Sequence, residues 1–306
     1  MRLGLYLTSM IPDGSVRDLV ELARIAEDLG FDDLCMGEHV AMAAEQPTWE
    51  GSRRFPHQPA ERFPEPLTTF AAIAVATQRV RLVSCILIAP LRPAALLAKT
   101  AATVHALSGG RLVLGVSVSW LRQEYGALGV PFEKRGSRLD DTIGACRALW
   151  SSSPASFTSK AVSFTNVYCE PRPSHPDDIP FWFGGQFTPR LVRRIVDWGQ
   201  GFLPHMVAGT SWEDIGEQTR LIKEALSAAG RDPSKLEVGA RSSASGRPFA
   251  RALEEDMDRI AAAGITQPYC PLLGPRTLDE ARPALERMAR AFEPYRSALT
   301  KPSHSS

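Results

Sequence analysis

Short apolar segments alternate with longer segments of helical period along the chain, and this alternation is the feature that most constrains the fold. Eight apolar segments have the length and composition of buried strands: 2–7, 31–36, 80–88, 111–116, 181–183, 200–205, 235–241 and 265–272. Each is followed by a segment whose apolar residues recur with helical spacing. Buried strands without strict polar alternation, separated by amphipathic helices, predict a parallel sheet.

Eight β/α units within 306 residues predict a single closed (β/α)8 barrel of the TIM type, in the α/β class. An open doubly wound sheet shows the same alternation and remains the alternative. A long insertion at 37–65 follows the second strand, and residues 157–178 predict a hairpin and a Pro-rich linker before the fifth. We expect one domain over residues 1–300 and a disordered tail at 301–306.

The charge balance and the cysteine spacing argue against several classes of protein. With 35 basic and 34 acidic residues the formal net charge is +1, which gives no electrostatic reason to expect nucleic acid or an anionic membrane as a partner. No apolar run reaches membrane-spanning length, and the first strand begins almost at Met1, so we expect no signal peptide. The five cysteines form no C-x-x-C pair and the histidines share no ligand spacing. We therefore expect a reducing cytoplasm, no disulfide framework and no metal site.

Active sites in a (β/α)8 barrel lie where the strands end and the following loops begin. The residues at these positions are Glu38, His39, 88–92, 117–125, 184–188, His205, Arg241, Tyr269 and Cys270. Glu38 and His39 are the only adjacent carboxylate and imidazole in the chain, and an imidazole exchanges protons near neutral pH. We predict that His39 and Glu38 are catalytic. The alternative is a histidine whose hydrogen bonds are satisfied by the backbone of the barrel rim.

Small and aromatic residues follow the fourth predicted strand. The small side chains of Ser117 and Ser119 leave room for a flat ring, and Trp120 could border that space. We interpret Glu124 as a solvated residue on a helix face. The long loop after the second strand could be a substrate lid. We predict substrate contacts for three residues, with a purely structural role as the alternative: Trp49, Trp120 and His205.

Two adjacent glycines stand between the fifth predicted strand and the next helix. Gly184 and Gly185 follow the buried strand, and Thr188 and Pro189 have the features of a helix start. A glycine pair leaves no Cβ between backbone N–H groups and a ligand, and a helix N-terminus attracts anions. We predict that this turn binds phosphate. A plain tight turn between strand and helix is the alternative.

Four stretches occur in a characteristic order: GFDDLCMGEHV, LAKTAATVHALSGGRLVLGVSVSWLRQEYGALGVPFEKRGSRLDD, IPFWFGG and AGRDPSKL. Together they resemble the bacterial luciferase-like monooxygenase family, in its branch of coenzyme F420-dependent oxidoreductases. The resemblance covers nearly the whole chain. It implies a (β/α)8 barrel with an extended loop after the second strand, a flavin or deazaflavin across the C-terminal mouth, and a homodimer.

The resemblance also implies roles for particular residues. It places the family's acidic–histidine pair on Glu38 and His39, and a bulge in the third strand, with a cis peptide between Cys85 and Ile86, beneath the cofactor ring. Cofactor contacts are implied for Ser84, Cys85, Ile86, Ser117, Ser119, Gly184 and Gly185.

The implied reaction is hydride transfer between coenzyme F420 and a small organic substrate with an activated C=C or C=O bond. His39 would donate the proton, and Glu38 would anchor the cofactor or the imidazole. Relatives that act on sugar phosphates carry Asp in place of Glu38, a carboxylate in place of Trp120, and lysines without a match here, so we expect a more apolar substrate. An FMNH2-dependent monooxygenase, with FMN as cofactor, is the alternative. A non-catalytic flavin-binding protein is the alternative from another class.

Overall fold

The structure, a computed structural model, describes residues 1–7, 14–45, 62–205, 210–241, 249–272 and 275–296. The strands are β1 (Gly4–Tyr6), β2 (Asp33–Met36), β3 (Arg81–Ser84), β4 (Leu87–Ile88), β5 (Leu112–Ser117), β6 (Ala155–Thr158), β7 (Ser163–Val167), β8 (Phe181–Gly185), β9 (Gly199–Pro204), β10 (Glu237–Arg241) and β11 (Gln267–Pro271). The α-helices are α1 (Asp18–Asp28), α2 (Pro66–Ala76), α3 (Ala94–Leu107), α4 (Arg122–Ala127), α5 (Arg135–Ser151), α6 (Pro189–Trp198), α7 (Trp212–Ala228), α8 (Phe249–Ala262) and α9 (Leu278–Arg296).

Parallel pairing closes these strands into a barrel. β1 pairs with β2 and with β11, and the pairing continues around the ring through β10, β9, β8 and β5. The ring closes because β3 pairs with both β2 and β5. In the described part of the chain, eight strand positions therefore form a closed parallel barrel with helices outside it, which confirms the predicted (β/α)8 fold. The open-sheet alternative is wrong, because an open sheet would have two unpaired edges.

The third predicted strand is interrupted in the middle. β3 ends at Ser84 and β4 begins at Leu87, and the peptide bond between Cys85 and Ile86 is cis. This confirms the cis peptide implied by the family resemblance. β4 pairs with β5 through Leu87 and Val116, so the strand resumes beside the same neighbour after the bulge.

The structure describes the hairpin insertion in full and the insertion after β2 only in part. β6 and β7 pair antiparallel and form the predicted hairpin before β8. The insertion after β2 is described only at 37–45 and 62–65, and Trp49 and the predicted tail at 301–306 lie outside the described residues. No described helix combines the length and the apolar composition that crossing a bilayer requires.

A buried ion network fills the end of the barrel where the strands begin. Nε of Arg81 lies 2.7 Å from Oδ1 of Asp33, and its Nη1 lies 3.0 Å from Oε2 of Glu237. The guanidinium carbon lies 5.4 Å from the ring centroid of Trp182, inside the barrel. A ligand therefore enters from the opposite end, where the strands finish.

Candidate functional site

A cavity of about 700 Å³ opens at the C-terminal mouth of the barrel. Small-molecule and cofactor pockets have volumes of about 300–1,000 Å³, so the cavity can hold a tricyclic cofactor. The following predicted site residues line it: Glu38, His39, Cys85, Ile86, Ser117, Ser119, Trp120, Gly184, Gly185 and His205. These residues come from four strand ends and the bulge, and Tyr6, Arg241 and Tyr269 line the same space from three further strands.

One described residue of the predicted site does not line this cavity. Ser84 is fully buried, and its hydroxyl donates a hydrogen bond of 2.9 Å to the carbonyl oxygen of Gly115. That bond ties β3 to β5 beneath the bulge and directs the hydroxyl away from a ligand. Ser84 therefore supports the bulge from below.

The imidazole of His39 is paired with a buried carboxylate. Its Nδ1 lies 3.4 Å from Oε2 of Glu124, a residue that is 0% exposed. The other oxygen, Oε1, accepts the N–H of Val40 at 2.5 Å and of Ala41 at 3.4 Å. The ring of Phe63 packs edge-on against the imidazole, with centroids 5.1 Å apart. The interpretation of Glu124 as a solvated residue is wrong, because α4 directs its side chain inward to the loop after β2.

Glu38 is buried near the imidazole but has other partners. Its carboxylate accepts the N–H of Ile88 at 2.6 Å and pairs with Arg92, whose Nη2 also lies 2.6 Å from Glu65. Burial raises the pKa of Glu38, while the bonds from Arg92 and Ile88 act in the opposite direction. The carboxylate of Glu38 ties the loop after β2 to β4. The expectation that Glu38 anchors the cofactor or the imidazole stays a prediction.

The glycine turn and the start of α6 form one side of the cavity. Gly185 has a φ of +137°, a conformation that residues with a Cβ rarely adopt. A Cβ at Gly184 would lie 2.9 Å from Cγ2 of Ile86. The hydroxyl of Thr188 caps α6 by accepting the N–H of Leu191 at 3.2 Å, with a proline at the first helical position. One glycine is therefore required by the backbone conformation and the other by close packing against the bulge.

Two arginines stand on the same side. Nε of Arg194 lies 2.6 Å from Oδ1 of Asp140, which neutralises its charge. The guanidinium carbon of Arg135 lies 3.9 Å from the ring centroid of Phe132, and its buried Nε has no hydrogen-bond partner. An unmet buried donor costs about 1–3 kcal/mol, which a bound anion would offset. We call this side, formed by Gly184, Gly185, Arg135 and Arg194, the α6 end.

The other side carries aromatic rings and a third arginine. The rings of Tyr6 and Tyr269 stack with centroids 6.0 Å apart, and the guanidinium carbon of Arg241 lies 5.3 Å from the Tyr6 centroid. Burial raises the pKa of Tyr269 well above its usual value, so its phenol stays neutral at physiological pH. We call these three residues the tyrosine side. Among the described residues, no group of three or more His, Cys, Asp and Glu side chains is placed to hold a metal ion.

Sequence reasoning misinterpreted Glu124 and missed four residues of this site: Tyr6, Phe63, Arg135 and Arg194. Glu124 was within the stretch after the fourth strand, and its position at the barrel rim was the signal that could have identified it. Arg135 begins α5, and no motif or spacing in the sequence marks it. Arg241 was recognised only by its position after the seventh strand.

The model of the luciferase-like monooxygenase family matches residues 1–304, so the chain belongs to this family of oxidoreductases. An uncharacterized protein of Mycobacterium tuberculosis (strain ATCC 25618 / H37Rv) is 30% identical over 278 residues, which cover 87% of this chain and 91% of the relative. The FMNH(2)-dependent dimethylsulfone monooxygenase of Pseudomonas putida is 29% identical over 171 residues, which cover 54% of this chain and 45% of that enzyme.

Two solved structures share the fold over almost the whole chain. The monooxygenase RslO1 from Streptomyces bottropensis has a TM-score of 0.77 at 20% identity, covering 97% of this chain and 100% of that one. An F420-dependent secondary alcohol dehydrogenase, in complex with an F420-acetone adduct, has a TM-score of 0.71 at 17% identity, covering 95% of this chain and 97% of that one. At these identities the likeness establishes the fold alone.

Proposed function

We propose that this protein is an oxidoreductase that transfers hydride between coenzyme F420 and a small organic substrate with an activated C=C or C=O bond. The observation that carries the proposal is the pairing of His39 with Glu124 at the wall of a cavity whose α6 end is cationic. Adding hydride to such a bond leaves negative charge on the neighbouring atom, and a positioned acid accelerates the reaction by protonating it. The imidazole has the chemistry and the position for that task.

The residues of the cavity fit a flavin-type cofactor that carries a phosphate. The unpartnered Nε of Arg135 and the N-terminus of α6 suit phosphate oxygens. Gly185 leaves the backbone at this end uncovered by a Cβ. Cys85 and Ile86 at the bulge, with Ser119 beside them, line the space that a flat ring would occupy.

When bound, reduced deazaflavin would supply the hydride. The side chains of the barrel would position the reactants and donate the proton. An ionised carboxylate only accepts hydrogen bonds, so Glu124 fixes the proton of His39 on Nδ1. Nε2 of the doubly protonated imidazole would then pass its proton to the substrate, which leaves a neutral ring protonated on Nδ1. Glu38 and Arg92 hold the loop after β2 against β4 and so keep the imidazole at the mouth. Trp120 borders the same space.

Coenzyme F420 is supported over FMN by the sequence stretches around β2, β5 and β8 that resemble the F420 branch. The fold is shared with both an F420-dependent secondary alcohol dehydrogenase and the monooxygenase RslO1, so the choice rests on these stretches. The second candidate is an FMNH2-dependent monooxygenase, which is favoured by the similarity to the dimethylsulfone enzyme. Both candidates use the same barrel, and both would place a phosphate at the α6 end.

An anaerobic screen of ketones, aldehydes and enones with reduced coenzyme F420 tests the proposal by following oxidation of the cofactor. We expect turnover with at least one of these classes, and His39→Ala should lower it about 10²–10⁴-fold. His175→Ala, which removes an exposed histidine outside the cavity, is the matched control. Turnover that requires FMNH2 and oxygen would support the monooxygenase instead. Cofactor binding without turnover of any substrate would support a non-catalytic flavin-binding protein.

A further inference from the structure

We infer that Arg241 binds an anionic group of the substrate, of the carboxylate class, on the tyrosine side of the cavity. The inference deepens the proposed function and rests on it for the reaction that the substrate undergoes. The anion site itself stands on the contacts of Arg241.

Arg241 lines the cavity without a counter-ion in the described part of the chain. Its Nε is buried and has no hydrogen-bond partner, and no described carboxylate forms an ion pair with it. Its guanidinium contacts the ring face of Tyr6. Other arginines at the barrel are paired with acids: Arg81 with Asp33 and Glu237, Arg92 with Glu38 and Glu65, and Arg194 with Asp140.

An arginine in this position is incompletely satisfied. Contact with a ring face is a weaker interaction than a charge-assisted hydrogen bond, and it leaves the buried Nε–H of Arg241 without an acceptor. A ligand that brings two oxygens would supply those acceptors, because the planar guanidinium matches a carboxylate in a bidentate arrangement. The free cavity therefore favours a ligand with an anionic group at this point.

The order of the strands separates this arginine from the α6 end. Around the ring of eight positions, β5 and β8 lie opposite β11 and β1. Arg241 ends β10, but its guanidinium lies over Tyr6 of β1, beside Tyr269 of β11. The phosphate of a cofactor at Arg135 therefore leaves Arg241 available for a second anion. Two separate cationic points imply two anionic groups, one on the cofactor and one on the substrate.

The neighbours of Arg241 narrow the class of substrate. β2, which carries His39 after its last residue, is next to β1 in the barrel, so the imidazole and the guanidinium flank the same part of the cavity. The stacked rings of Tyr6 and Tyr269 form an apolar wall there. A flat, conjugated acid, such as an unsaturated or 2-oxo carboxylate, would place its anion on Arg241 and its reacting bond toward His39.

Fluorine NMR with two small probes tests the anion site on the protein without cofactor. Trifluoroacetate and trifluoroacetamide have nearly the same size, and both are small enough to enter the cavity whatever the natural substrate is. Their dissociation constants should be measured for the unmodified protein and for Arg241→Gln, Arg241→Lys and Arg135→Gln. We expect the unmodified protein to prefer the carboxylate by about tenfold or more, as a charge-assisted hydrogen bond predicts.

The variants separate the two ends of the cavity. Arg241→Gln should abolish the preference for the carboxylate, Arg241→Lys should retain part of it, and Arg135→Gln should retain most of it. Equal affinity for the two probes in the unmodified protein would overturn the inference. A preference that survives Arg241→Gln but disappears in Arg135→Gln would also overturn it, because the anion would then bind only at the α6 end.

A parallel titration with coenzyme F420 keeps the two proposals distinguishable. We expect Arg135→Gln to weaken cofactor binding and Arg241→Gln to leave it within about twofold. Absence of cofactor binding with an intact carboxylate preference would reject the proposed cofactor and support the anion site. Normal cofactor binding without any carboxylate preference would reject the anion site alone. Thermal unfolding of each variant confirms that the proteins compared are folded.

Discussion

Nδ1 of His39 lies 3.4 Å from Oε2 of Glu124, across 85 positions of sequence. The same carboxylate accepts the N–H of Val40 at 2.5 Å, so one side chain holds both the imidazole and the backbone that follows it. Glu124 is fully buried, and an unpaired carboxylate there would be costly. The pair therefore fixes both the position and the tautomer of the imidazole.

Glu124→Gln should lower turnover while leaving the affinity for the cofactor nearly unchanged. The amide keeps the size of the side chain but removes the charge that holds the Nδ1 proton, so we expect turnover to fall about 10–100-fold, less than the full contribution of a general acid. Glu133→Gln, an exposed carboxylate outside the cavity, is the control. Steady-state kinetics and cofactor titration check the result. Equal turnover in Glu124→Gln and the control would show that the carboxylate does not position His39.

Gly185→Val should weaken binding of the phosphate-bearing cofactor at least tenfold while the barrel stays folded. The positive φ of +137° disfavours a β-branched residue, and the added side chain covers the backbone of the turn. Removing the phosphate from the cofactor should cost the unmodified protein much more affinity than the variant. Gly129→Val, at another positive φ but outside the cavity, is the control. If the unmodified protein and Gly185→Val lose the same affinity on removal of the phosphate, the glycines serve only the turn.

Glu27→Gln should destabilise the fold at neutral pH. The carboxylate accepts three backbone N–H groups of the turn before β3, from Gln78 at 2.8 Å, Arg79 at 2.6 Å and Val80 at 2.8 Å. Partial burial acts to raise the pKa of Glu27, but the bonds from Val80, Gln78 and Arg79 prevail and lower it. Losing the charge should cost about 1–3 kcal/mol of unfolding free energy.

The sign of its pH dependence follows from the lowered pKa. The stabilisation by Glu27 is present above the unfolded-state pKa, near 4.5, and is lost as the pH falls through the lower folded-state value. The free energies of unfolding of the unmodified protein and of Glu27→Gln should therefore converge in acid. Urea unfolding at several pH values measures this. Glu21→Gln, which removes only an exposed ion pair on the same helix, should cost under about 1 kcal/mol. A gap for Glu27→Gln that persists unchanged in acid would contradict this account.

The homodimer implied by the family resemblance remains a prediction, and helices α2 and α3 offer a place for it. They pack together on the outside of the barrel and expose Val75 (65%) and Leu96 (59%). Exposed apolar surface that is contiguous across neighbouring helices marks an interaction site, and we predict that these two side chains belong to one. We expect a dimer by light scattering, and Val75→Glu should shift it toward monomer. Leu221→Glu on α7, the control, should leave the dimer unchanged. If the unmodified protein is a monomer, the predicted interface is wrong.

The sequence predicted the fold better than the side-chain pairs of the site. Eight apolar segments separated by amphipathic helices predict a parallel sheet with both faces buried, and their number favours closure into a barrel. The rule that sites lie at strand ends located the cavity. Glu124 was misinterpreted as solvated because α4 is a six-residue helix. Such a helix is too short for its periodicity to show which face is buried. Its pairing with His39 depends on how two loops meet in space, and local patterns do not encode this.

The central claim is tested most directly by parallel anaerobic titrations of the protein with coenzyme F420 and with FMN, each oxidised and reduced. Six tryptophans provide the fluorescence signal, and Trp120 lines the cavity in which either cofactor would quench it. Our account predicts that coenzyme F420 binds at least about tenfold more tightly than FMN in the same redox state, a difference of about 1.4 kcal/mol. Tighter binding of FMN, or equal binding of the two, would contradict it.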